Sequence, residues 1–134
     1  MALLEKQLEV KKSTLPGAGL GLFTKSHISK GSRIVEYKGR RTVWKEVEDD
    51  YKNGYIYTID AQHVIDAKTY RKAFARYAND AQGMVRKNGT RNNAHYVVEG
   101  AKVFIEAVKD IPAGNEIFVS YGKEYWDVTR KNRK

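Results

Sequence analysis

The chain has 134 residues, 41 % hydrophobic and 31 % charged, a length and composition suited to one packed domain that buries about 70 % of its unfolded surface. It contains no cysteine, which excludes disulfides, thiolate zinc sites and a cysteine nucleophile. Lys and Arg outnumber Asp and Glu by 25 to 16, a net charge of +9, so polyanions attract the chain at low salt whether or not such binding is its role.

The start, MALLEKQLEV, places Glu5 and Lys6 too early for the apolar stretch of a secretory signal, and no apolar run reaches membrane-spanning length. The expectation is a soluble intracellular protein with no membrane attachment, with cytoplasm, nucleus and nucleoid all open. A first strand is expected around Leu8–Lys11. It runs into LPGAGLGLFTKS (15–26), where Pro16, Gly17, Gly19 and Gly21 break any helix and mark a loop of close backbone approach. SRIVEYKG (32–39), YIYTID (55–60) and HVIDA (63–67) carry the β-branched and aromatic content of short strands. Between them, Val43, Trp44, Val47 and Tyr51 recur at helical spacing, which predicts an amphipathic helix over 42–53. Tyr70, Phe74 and Tyr77 suggest a second helix within 69–80. AHYVVEG (94–100), KVFIEAVKD (102–110) and NEIFVSYG (115–122) complete the strands, with a hairpin turn at Gly100–Ala101 and a second turn at 111–114. Many short strands and few helices give a mainly β fold with short helices. Residues 1–126 are expected to form a single domain, followed by a basic tail at 127–134.

The glycine loop alone is weak evidence, because a nucleotide-phosphate loop needs a following helix and a parallel crossover, and strand and turn follow instead. His27, His63 and His95 are widely spaced with no clustered ligands, so no metal is assigned. No serine occupies a nucleophile elbow and no acid–base pair of carboxylates stands out, which leaves hydrolysis unsupported. The nine tyrosines, mostly in or beside strands, are the remaining source of polar chemistry in an apolar setting.

Taken in order, GAGLGLFTKSHISKGSRIVEYKG, YIYTID, VIDA, ARYAND, NNA, VFIEAVKDIPAGNEIFVSYG and KEYW resemble the SET-domain protein lysine methyltransferases over Leu8–Trp126. The chain is similar to the small viral and bacterial members that lack flanking zinc modules. The resemblance implies a SET (β-clip) fold of small antiparallel sheets with a C-terminal pseudoknot, with S-adenosylmethionine bound on one face and a substrate lysine on the other. It places Ala18, Gly19 and Leu20 on the cofactor-binding glycine motif, and Tyr57 near a cofactor-side aromatic. Asn79 holds the methionine moiety, Asp80 contacts adenine through its backbone, and Trp126 or Tyr125 closes over the adenine. Tyr121 stands at the methyl-transfer point, touching cofactor as well as substrate, and Tyr37 forms a wall of the lysine channel. Val119, two residues before Tyr121, falls where some relatives limit the number of methyl groups added, and that number stays open. Asp80–Ala81 departs from the family's His-Ser, and a carboxylate there needs a partner, for which Arg76 is the candidate.

The expected activity is methylation of a lysine on a histone-like or other basic protein, a nucleoid protein included. The acidic residues Glu46, Glu48, Asp49 and Asp50 are expected to flank the substrate groove. Excess positive charge suits a position near nucleic acid, and a homodimer is an expected way to complete the substrate surface. Two rival readings stay open. One is a SET-like binding module that has lost catalysis, suggested by Asp80–Ala81. The other is a basic nucleic-acid-binding β domain, suggested by VRKNGTR (85–91) and the tail.

Overall fold

The computed structural model describes residues 3–50, 53–81 and 89–121. Among the described residues, nine strands form three small antiparallel sheets. β1 (Leu8–Lys12), β2 (Leu20–Thr24) and β9 (Glu116–Ile117) make the first, with β2 central. β3 (Arg33–Glu36), β8 (Lys102–Ala107) and β7 (Ala94–Glu99) make the second, with β8 central. β4 (Arg40–Thr42), β6 (His63–Asp66) and β5 (Ile56–Asp60) make the third around β6. Leu22, Ile34, Val35, Ile65, Ile105 and Ile117, from all three sheets, belong to one buried cluster, so each sheet turns an apolar face to a shared core.

The β7–β8 hairpin forms as the sequence predicts, with Glu99 opposite Lys102 across the two-residue turn Gly100–Ala101. Three expectations are corrected. β2 begins inside the glycine-rich stretch: Gly17 and Gly19 form the turn with φ of 72° and 75°, and the following Leu-Gly-Leu-Phe-Thr pairs with β1 from Leu8↔Thr24 to Lys12↔Leu20. The helix predicted over 42–53 shrinks to one turn, α1 (Trp44–Val47), in which only Val47 is buried. Glu48, Asp49 and Asp50 crowd what would be the carboxyl half of a longer helix, where the dipole disfavours anions, and Arg40–Thr42 is taken by β4. The helix suggested within 69–80 is only a 3-10 turn at Phe74–Tyr77, flanked by extended Ala73 and Ala78.

Residues 116–119 occupy the centre of the architecture. Leu22 pairs with Ile117 on one side, while Asn79 bridges Phe118 and Ala94 bridges Val119, both in parallel. This segment therefore runs between the two ends of the 79–94 connection, as the expected threaded arrangement requires. Buried Asn93 fastens it: its side-chain amide donates to the Glu116 carbonyl at 2.9 Å and its Oδ1 accepts the Phe118 N–H at 2.8 Å.

Candidate active site

The turn between β1 and β2 and the segment before residue 80 meet through Asn79. Its Nδ2 donates to the Leu20 carbonyl at 3.0 Å and to Glu116 Oε2 at 3.3 Å. Both partners only accept, so the amide nitrogen is the atom that faces them and Oδ1 points away. Gly19 needs its left-handed φ of 75°, and a Cβ built there would meet nothing within 4 Å, so the turn borders open space. Leu20 is 51 % exposed at the same edge, whereas Ala18 packs against Leu15, Ala81 and Phe118.

Glu116, buried at 4 % exposure, is held from above this turn. Oε2 accepts from Ser13 Oγ at 2.7 Å, and Oε1 from the Thr14 N–H and hydroxyl, both at 2.8 Å. Gly21 makes room for it, since a Cβ there would stand 2.3 Å from Oε2.

Four tyrosines form a cluster, and one of them, Tyr121, bonds to residues 78 and 80. Tyr57 lies 4.9 Å from Tyr96 and 6.1 Å from Tyr37 between ring centroids, and Tyr96 stacks on Tyr121 at 6.4 Å. The Tyr37 hydroxyl donates to the Tyr55 carbonyl at 2.8 Å, which turns a buried ring into a fixed wall. Burial raises the Tyr57 phenol above its ordinary pKa. Tyr121 is held at both ends: its N–H donates to Asp80 Oδ2 at 2.9 Å and its hydroxyl to the Ala78 carbonyl at 2.5 Å. Ala78 directly precedes Asn79, so two hydrogen bonds and one peptide unit connect the Tyr121 phenol to the glycine turn.

The SET-domain family model matches residues 19–122, which include both sides of this site. The chain belongs to the SET-domain family. It is 29 % identical over 139 aligned positions to the histone-lysine N-methyltransferase EZH2 of Chaetomium thermophilum, a match covering 94 % of this chain and 9 % of that protein. Among solved structures, it resembles ctPRC2 in an autoinhibited conformation bound to S-adenosylmethionine, with a TM-score of 0.72 and 25 % identity over 98 % of this chain and 17 % of that one. A humanized mutant of the Chaetomium thermophilum Polycomb Repressive Complex 2 bound to an inhibitor aligns with a TM-score of 0.69 and 27 % identity, over 92 % of this chain and 16 % of its own. The chain thus spans a small fraction of the length of the relatives it matches.

Within this SET domain, Asn79 bonds the Leu20 carbonyl next to Gly19, Asp80 bonds the Tyr121 N–H, and Tyr96 lies against both Tyr37 and Tyr121. The Tyr57 ring lies against Tyr37 and Tyr96. Val119 is fully buried in the core, beneath the site surface. Asp80 does not use Arg76: its carboxylate accepts from Asn92 Nδ2 at 2.9 Å and from the Tyr121 N–H. Arg76 instead donates to the Ala67 and Lys68 carbonyls and sits 3.9 Å from the Tyr55 ring centroid, a cation–π position. Glu46, Glu48 and Asp49 are exposed around α1, and Asp50 is tied to Asn53 and Lys68. Trp126, Tyr125 and the tail at 127–134 lie outside the described residues, as do 85–88 of the basic VRKNGTR stretch. No group of three or more potential metal ligands occurs among the described residues.

Sequence reasoning missed Tyr96 and Glu116. Tyr96 carried a signal, an aromatic in the strand that follows Asn92–Asn93–Ala94. Glu116 carried another, a lone carboxylate within an apolar strand.

Proposed function

We propose that this SET domain transfers a methyl group from S-adenosylmethionine to a lysine side chain of a protein. The observation that carries the reading is the linkage from the Tyr121 phenol through Ala78 and Asn79 to the glycine turn, which connects a tyrosine cluster to a polar, open-edged turn. Asn79 Oδ1 is an acceptor suited to the ammonium of the cofactor's methionine end, and the turn at Gly19 leaves backbone approach unobstructed. The bound cofactor supplies an electrophilic methyl on a sulfonium. With the cofactor held at Asn79 and the Gly19 turn, the lysine nitrogen would take the methyl carbon while the carbon–sulfur electron pair would leave with sulfur, and the amine's surplus proton would pass to solvent.

The chain's own residues prepare the amine. Lysine is ordinarily protonated below about pH 10.4. A channel walled by Tyr37, Tyr57, Tyr96 and Tyr121 makes the ammonium costly and favours the neutral, nucleophilic form. The Tyr121 phenol, fixed by the Ala78 carbonyl and the Asp80 contact to its backbone, aligns the nitrogen for attack rather than acting as a strong base.

The substrate class we assign is a basic, lysine-bearing peptide of the histone kind, supported by the relative's name and by exposed Glu46, Glu48 and Asp49. Residues 1–126 are taken as the catalytic unit, with 127–134 a basic tail that favours substrates near nucleic acid. Incubation with methyl-labelled S-adenosylmethionine and lysine-rich proteins, histones included, tests the proposal. Mass spectrometry should find added methyl groups on lysine, and their number. Cofactor binding without transfer to any of these would favour a binding module instead.

A further inference from the structure

We infer that Glu116 is a positioning residue for the amino-acid end of the cofactor, acting through Asn79. The inference rests on the S-adenosylmethionine reading above and deepens it. Two observations carry it. First, Asn79 Nδ2 is shared between the Leu20 carbonyl at 3.0 Å and Glu116 Oε2 at 3.3 Å. An amide is planar, so holding its nitrogen on two acceptors sets Oδ1 on the opposite side, where no protein donor meets it among the described residues. A glutamine at 116 removes the charge and weakens one of the two acceptors that hold the amide, leaving the Leu20 carbonyl as the main contact that orients it.

Second, Glu116 is a buried carboxylate without a cation. Its partners are Ser13, Thr14 and Asn79, all neutral, and none of the ion pairs among the described residues includes it. Buried charges are ordinarily paired, and four neutral donors hold this one in place without cancelling its charge. Its field therefore extends to the outward side of Asn79. A ligand carrying a positive ammonium against Oδ1 supplies the missing countercharge across one amide. Gly21 keeps this geometry available, because any side chain there displaces the Glu116 carboxylate.

Isothermal titration of the full chain with three ligands, repeated for Glu116→Gln, tests the inference. S-adenosylmethionine and S-adenosylhomocysteine both carry the ammonium, while 5′-methylthioadenosine lacks the amino-acid end. Expected for Glu116→Gln is about tenfold weaker binding of the first two, with 5′-methylthioadenosine unchanged within about twofold. In turnover, KM for the cofactor should rise while kcat at saturation stays within about twofold. Unchanged affinity for S-adenosylmethionine overturns the inference, and so does an equal loss for all three ligands, which marks general loosening of the turn. If the parent chain binds none of the three, the functional reading itself has failed.

Should Glu116→Gln not fold, the parent protein decides by NMR. The Asn79 side-chain amide, assigned by its loss in Asn79→Ser, should be protected from solvent exchange both with and without S-adenosylmethionine. Fast exchange in the free protein, or release of the amide when ligand binds, overturns the inference.

Discussion

The two sides of the site are built by opposite means. On the glycine-turn side, position is set by directed hydrogen bonds between residues distant in sequence: Ser13, Thr14 and Asn79 on Glu116, and Leu20 on Asn79. On the tyrosine side, position is set mainly by rings packed 4.9–6.4 Å apart, with hydroxyls tied to backbone carbonyls at Tyr55 and Ala78. The difference suits the two ligands proposed. A charged, flexible amino acid needs oriented acceptors, whereas an amine that must lose its proton needs an enclosure that solvates charge poorly. Asp80 and Asn93 belong to neither side alone, since they fix the strand that both share.

The comparison breaks most sharply at Tyr121. Tyr121→Phe keeps the ring but loses the bond to Ala78, and kcat should fall about 100-fold with cofactor affinity nearly unchanged, as measured by steady-state kinetics and calorimetry. A variant that turns over as fast as the parent removes the phenol from the mechanism. The shared strand comes next. Asn93→Ala leaves the Phe118 N–H and the Glu116 carbonyl short of a buried partner, so urea unfolding should show a loss of about 3 kcal/mol, with both sides of the site weakened together.

Smaller effects sharpen the picture. Reversing Glu46, Glu48 and Asp49 to lysine should raise KM for a basic peptide about threefold to tenfold, fading with added salt, and leave kcat alone. An unchanged KM moves the peptide groove elsewhere. The smallest concerns pH. Because burial raises the Tyr57 phenol, the folded chain retains that proton where the unfolded chain has begun to lose it, and stability falls as pH rises through about 10. Tyr57→Phe should flatten that part of the decline, read from urea midpoints between about pH 9 and pH 11.

Much of this arrangement was legible in the residues. Alternating apolar strands and the Gly100–Ala101 turn specified the β7–β8 hairpin, and the order of glycine, asparagine and tyrosine segments pointed to the site. Local periodicity misled where tertiary demands were stronger. Val43, Trp44 and Val47 have helical spacing, yet Trp44 is 44 % exposed and Val47 alone is buried, so packing had little to reward beyond one turn. The glycine stretch hid β2 because Gly17 and Gly19 make the turn while Gly21 lies within the strand, facing Glu116. Asp80 could not be paired from sequence, since an asparagine side chain and a backbone N–H are among its partners, while Arg76 is engaged elsewhere.

The hydrogen bond from Ser13 to Glu116 joins residues 103 positions apart. Closing so long a span costs chain entropy before any contact rewards it, and the segment involved must slide between 79 and 93–94. Until residues 116–119 are in place nothing joins the glycine turn, Asn79 and Asn93, so binding competence hangs on one long-range closure rather than accumulating contact by contact.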